Sequence, residues 1–205
     1  MLYPRIARVG ETDKLVADIE MVGYREHMTQ EHRILFLSGV MSGEMDSQNL
    51  LLALDSLSHE PIKIVITSPG GDLDTTFLFI DTMKLIQSPV ITIGRYCASA
   101  ACLILASGQE RYLYPHARTM LHLATGQMMG DYKDYAIQHS LMVNYQDKIV
   151  DILTEAGVKK SKDEILADID RDFWLDSSEA CAYGLADEII TPQIWTRWID
   201  GDKDA

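Results

Sequence analysis

The sequence predicts an α/β domain whose strands pair mostly in parallel. Three observations carry this. Short β-branched apolar runs alternate with stretches of helical spacing through the middle of the chain. Gly, Pro and Ser punctuate the junctions, as at Ser68-Pro69-Gly70-Gly71. The 205 residues suit one domain, or two small ones. A chain of this size buries about 70% of its unfolded surface, so it needs neither disulfides nor metals to fold. Apolar residues make up 47% and charged residues 24%, which excludes disorder, collagen and coiled coil for the whole chain.

Residues 1–32 carry scattered charges and no sustained period, so they read as an arm or loop with at most a short strand. Ile34 to Leu37 is an apolar run stopped by Ser38-Gly39, which suits a buried strand. Ser47 to Leu57 has helical spacing, with Asp46 or Ser47 as N-cap. Ile62 to Thr67 is a β-branched strand ended by Ser68-Pro69-Gly70-Gly71. Leu73 to Ile86 is an amphipathic helix, Val90 to Ile93 a strand, and Ala98 to Ser107 a helix of small residues ended by Gly108. Arg118 to His122 is a further strand. Asp131 to Ala156 is one long helix closed by Gly157. At about 25 residues and 1.5 Å rise it would be about 37 Å long, enough to project and pack on a partner subunit. Short helices at Lys162 to Asp168 and Ser178 to Tyr183, a strand at Glu188 to Ile190, and a tail with Trp195 and Trp198 complete the chain.

Charge and cysteines narrow the function classes. Lys plus Arg number 18 and Asp plus Glu 31, a net charge of −13. That argues against a nucleic-acid binder, which needs a basic face, and against anionic lipid. Cys97, Cys102 and Cys181 are odd in number and form no Cys-x-x-Cys pair. Reduced thiols in a cytosol-like compartment are expected, with no disulfide framework, zinc site or other metal. Met1-Leu2-Tyr3-Pro4-Arg5 has no basic segment leading into an apolar run, so no secretory signal is expected. Val90 to Ser107 is interrupted by Arg95 and is too short to span a membrane. The expectation is a soluble, cytoplasmic protein.

Three places hold chemistry. Gly70-Gly71 lets the backbone turn sharply after a strand and present N–H groups to an oxyanion, although such a pair is also an ordinary strand-to-helix turn. Ser99, between a strand and a small-residue helix, sits where free N–H groups and the positive dipole end favour an anionic transition state. It is not framed as Gly-x-Ser-x-Gly, and an N-capping serine would look the same. His122 at a strand end and Asp172 in a loop supply the residue types that a serine nucleophile needs as base and orienting acid. Singly they mean little among six histidines and 31 acidic residues.

Taken in order, these pieces resemble one family. Ile66-Thr67-Ser68-Pro69-Gly70-Gly71 is followed by Asp81-Thr82-Met83, then by Ala98-Ser99-Ala100-Ala101 leading to Ala106-Ser107-Gly108. Arg118-Thr119-Met120-Leu121-His122 comes next, then Arg171-Asp172 and Glu179 to Asp187. From about Arg33 to Ile190 the chain resembles the proteolytic subunit of the Clp protease (ClpP). The resemblance implies a ClpP/crotonase-like spiral of ββα units with a projecting handle helix. It divides the chain into an N-terminal arm or axial loop region (1–32), a peptidase domain (33–192) with its handle at about 123–156, and a C-terminal tail (193–205).

The same resemblance implies the roles. Ser99 would be the nucleophile, His122 the general base and Asp172 the group orienting the imidazole. The N–H groups of Gly70 and Ala100 would form the oxyanion hole of a serine endopeptidase. Two heptameric rings of this subunit would stack into a chamber admitting only unfolded polypeptides. An AAA+ unfoldase of the ClpX, ClpA or ClpC type would feed it. The chain has no Gly-x-x-x-x-Gly-Lys-Ser/Thr, so ATP would be used by that separate partner and no cofactor by this one. The family pattern is broken at Ala100-Ala101, where Met-Gly is usual, and at Leu123-Ala124, where Gln-Pro is usual. Lys63 and Val65 replace tyrosines of the docking pocket for the unfoldase. Three other functions are weighed: a non-catalytic ring or scaffold subunit, a crotonase-like acyl-CoA enzyme, and a Ser–Lys peptidase.

Overall fold

The structure is a computed structural model that describes residues 11–43 and 46–200. Its centre is a sheet in the order β1 (Ile34–Ser38), β2 (Ile62–Ser68), β3 (Val90–Ala98), β4 (Glu110–Leu121), β5 (Phe173–Asp176). β1 to β4 pair in parallel. β5 runs antiparallel to the end of β4, and β6 (Glu188–Ile189) pairs in parallel with β4 near its start. Parallel neighbours need crossovers. Three of them are helical: α2 (Asp46–Leu57), α3 (Leu73–Leu85) and α4 (Ala100–Ala106). After β4 come α5 (Tyr132–Glu155), α6 (Lys162–Asp168), α7 (Ser177–Tyr183) and α8 (Pro192–Asp200), while α1 (Glu11–His32) precedes β1.

Alternation along the strands splits the core in two. Ile62, Ile64 and Ile66 of β2 join the larger core with Phe79, Ile80, Leu103 and Leu153. Val65, Ile34, Ile91 and Ile93 face the other way, under Met28 of α1 and Ile194, Trp195 and Trp198 of α8. Because both faces are covered, the strands read as unbroken apolar runs, which is how they were readable. Arg111 of β4 ties this sheet to the end of α5 and to the turn after α7. Its guanidinium donates to Ala156 O at 2.6 Å and Gly184 O at 3.0 Å, and pairs with Asp187.

The structure corrects several sequence expectations. The stretch read as an irregular arm is helical over Glu11–His32, with residues 1–10 outside the described residues. Over residues 21–32 Met28 is the one buried apolar residue, so this part of the helix shows little period in sequence. Pro192–Asp200 is likewise a helix, seated by Trp195 and Trp198 against Tyr114 and Tyr112. β4 starts eight residues before Arg118, and β5 occupies part of a predicted loop. β3 runs on to Ala98, so α4 begins only after Ser99. The long helix stands where expected, with Asp131 as N-cap in a reciprocal box with Asp134 and Gly157 beyond its end at φ +87°. Among the described residues no helix is long and apolar enough to cross a membrane.

Candidate active site

The turn after β2 is held from both sides. Met41 N–H donates to Gly70 O at 2.9 Å, and Asp72 N–H donates to Met41 O at 3.0 Å. A Cβ on Gly71, whose φ is +153°, would lie 2.2 Å from Met41 O. A Cβ on Gly70, at φ +91°, would lie 2.6 Å from Ala98 O and 2.9 Å from Ala100 N. Two glycines are therefore a steric requirement here. Asp72 then caps α3, and hydrogen bonds from the Thr75 hydroxyl and N–H hold its carboxyl below the usual range.

Ser99 sits on a sharp turn between β3 and α4, with φ +56° and ψ −128°. A non-glycine residue at positive φ stores about 1–3 kcal/mol of strain, and persists only where packing fixes it. The packing is present. Every residue of α4 is 2% exposed or less, and Ser99 N–H donates to Met120 O at 2.7 Å. Cys102 reinforces the same joint, its Sγ lying 2.9 Å from Cys97 O and 3.3 Å from Met120 O. Burial pushes the Cys102 thiol up to about 12 and raises Cys97 well above its ordinary value.

The Ser99 side chain makes no capping hydrogen bond to α4. Its Oγ lies 2.7 Å from His122 Nε2 instead. This sets aside the N-capping alternative. It also sets aside a lysine partner, since the serine hydroxyl is paired with an imidazole. His122 follows the last residue of β4. The next two N–H groups are both engaged: Leu123 donates to Ile169 O at 3.0 Å and Ala124 to Gln146 Oε1 at 2.8 Å.

Asp172 is placed but not joined. The antiparallel β4–β5 ladder ends at Leu121↔Phe173. His122 and Asp172 are the next residue beyond that last pair on either strand. Asp172 is exposed, and no hydrogen bond links it to His122 among the described residues.

Gly71, Ser99, Ala100 and His122 meet at one small cleft, with Leu73 and Ile149 among its apolar walls. The glycine read from sequence as an oxyanion donor is Gly70, but its N–H is already spent on Ser68 Oγ at 3.0 Å. Gly71 is its neighbour on the cleft. Choosing between them depends on that serine–backbone bond, and a sequence does not reveal it. A larger groove of about 820 Å³ lies between α1, β1 and α2. It lacks a hydrogen-bonded nucleophile and base among its described lining residues, so the chemistry belongs to the smaller cleft.

The model of the Clp protease family matches residues 20–193. The chain belongs to the Clp protease family. It is 34% identical to ATP-dependent Clp protease proteolytic subunit 1 of Rhodopirellula baltica, over 78% of this chain and 73% of that one. It is 33% identical to proteolytic subunit 2 of Pseudomonas aeruginosa, over 78% of this chain and 82% of that one. The figures for proteolytic subunit 3 of Rhizobium meliloti are 32%, 78% and 84%. The mixed α/β architecture agrees with this family's fold.

Proposed function

We propose that the chain is a serine endopeptidase that cleaves unfolded polypeptides through an acyl-enzyme. The observation that carries this is the 2.7 Å contact between Ser99 Oγ and His122 Nε2 beside a double-glycine turn. His122 Nε2 takes the serine proton as Oγ attacks the peptide carbonyl. The tetrahedral oxyanion accepts hydrogen bonds from Ala100 N–H and Gly71 N–H, the latter in place of Gly70. On collapse the C–N bond breaks and His122 returns the proton to the leaving amine. Water, deprotonated by His122, then attacks the acyl carbon and frees Ser99. Asp172, a short closure away, orients the imidazole and stabilises its charged form.

The subunit works in two stacked heptameric rings. Ile137, Leu141 and Val143 stand exposed on α5, an apolar cost that association would remove. ATP is used by a separate AAA+ unfoldase of the ClpX, ClpA or ClpC type, and this chain carries no cofactor. Three free cysteines fit a reducing, cytoplasmic setting.

A fluorophosphonate probe should label the purified protein on Ser99 and leave Ser99→Ala unlabelled. Equal labelling of the two would overturn the proposal. The native mass should be a multiple of the 23.1 kDa chain, and a stable monomer would overturn the chamber. A non-catalytic ring subunit is the second reading, and it draws on the open position of Asp172. Turnover of an unfolded polypeptide by the purified homo-oligomer excludes it.

A further inference from the structure

α5 is tied beside the cleft by two adjacent residues, to the first turn of α3 and to the segment leaving His122. Tyr145 Oη donates to Asp74 Oδ2 at 2.8 Å, in the first turn of α3 and three residues beyond Gly71. Gln146 Oε1 accepts the Ala124 N–H at 2.8 Å, on the segment leaving His122. One turn later Ile149 lines the cleft. Of the two N–H groups that follow His122, Leu123's is held by main chain. Ala124's is held by this one side chain.

The Gln146 amide bears a visible cost. Its Nε2 is buried and has no hydrogen-bond partner. Only the oxygen can meet an N–H donor, so the amide is committed to one orientation and its NH₂ is left unpaired. A buried unsatisfied donor is unfavourable and calls for an explanation.

We propose that Gln146 is a positioning residue for the hydrolysis described above. By accepting the Ala124 N–H it fixes the backbone that leaves His122, and so the place of the ring against Ser99 Oγ. The inference rests on the peptidase reading. The bond spans two elements that meet only when α5 lies along the cleft, so a displaced α5 releases the base.

The test is inactivation of the purified full-length protein by a fluorophosphonate, with the maximal inactivation rate and the half-saturating concentration measured separately. Gln146→Met keeps length and loses the acceptor. The maximal rate is expected to fall about tenfold, with half-saturation within about twofold, because one buried N–H is left unpaired. Gln146→Asn, one methylene too short to reach, is expected to behave alike should the Met variant not fold. Gln146→Glu keeps an oxygen acceptor and removes the orphaned donor, so its rate is expected within about threefold of wild type. A Met or Asn variant reacting as fast as wild type overturns the inference. Equal losses in all three variants also overturn it, since bulk and not the acceptor would then matter. Labelling of Ser99→Ala at the wild-type rate instead sinks the peptidase reading itself, whatever Gln146 does, and a wild-type chain that takes no label overturns both.

Discussion

α4 and α5 both border Ser99, yet they are held in opposite ways. α4 is seven residues long and every one is buried. α5 is 24 residues long and buries Ile149, Val150 and Leu153. Packing on all sides fixes α4, and with it a serine in a backbone conformation it would not adopt alone. Discrete side-chain bonds fix α5: Tyr145 to Asp74, Gln146 to Ala124, and an exposed Lys84–Glu155 pair near its end. Ser99 therefore belongs to the rigid core, while the segment leaving His122 and the cleft wall answer to a helix held by three buried side chains and a few discrete bonds.

Substitutions can break this contrast. The largest effect is expected at the glycine turn. Gly71→Ala forces a Cβ to within 2.2 Å of Met41 O unless the turn shifts. Displacing an oxyanion donor costs about 100-fold or more in turnover, and unfolded-polypeptide cleavage reads it. Activity within a few-fold of wild type would remove Gly71 from the oxyanion role. Next, Ala101→Leu in α4 adds volume to a fully buried site and should lower stability by about 1–3 kcal/mol, measured by urea unfolding. An unchanged midpoint would mean the α4 contacts are looser than the burial implies.

The alkaline limb follows. Cys97 and Cys102 have folded-state values raised above the ordinary 9.0. A raised group binds its proton in the folded state after the unfolded chain has released it. Stability is thus full below pH 9 and falls as pH rises from 9 toward the folded values, by about 1 kcal/mol per pH unit for each thiol. Cys102→Ser should flatten that slope, and urea midpoints at pH 8 and 10 measure it. The smallest effect is on α5. Tyr145→Phe removes one partly exposed hydrogen bond and should cost less than about 1 kcal/mol. A loss as large as that of Ala101→Leu would show α5 to be as integral as α4.

The parts set by strong local pattern were readable. β2, α3 and the long helix carry runs and caps that sequence displays, and Ser99 and His122 stand at junctions of such elements, while Asp172 was singled out only by the order of the family motifs. α1 was missed because of its apolar residues only Met28 is buried in the described part. β5 was missed because four residues paired to a strand about 55 positions earlier carry no local signature. The engagement of the Gly70 N–H by Ser68, and the reach of Gln146 across 22 residues, both depend on side-chain to backbone bonds that only the folded chain reveals.

The β4–β5 ladder has a consequence in time. It joins residues 118–121 to residues 173–176, and three parallel pairings with long crossovers precede it along the chain. Such distant contacts close slowly, after local ones. A chain emerging from a ribosome completes Ser99 and His122 long before the segment that carries Asp172. On the proposed mechanism the hydrolytic centre is thereby complete only after that late segment has been made and paired.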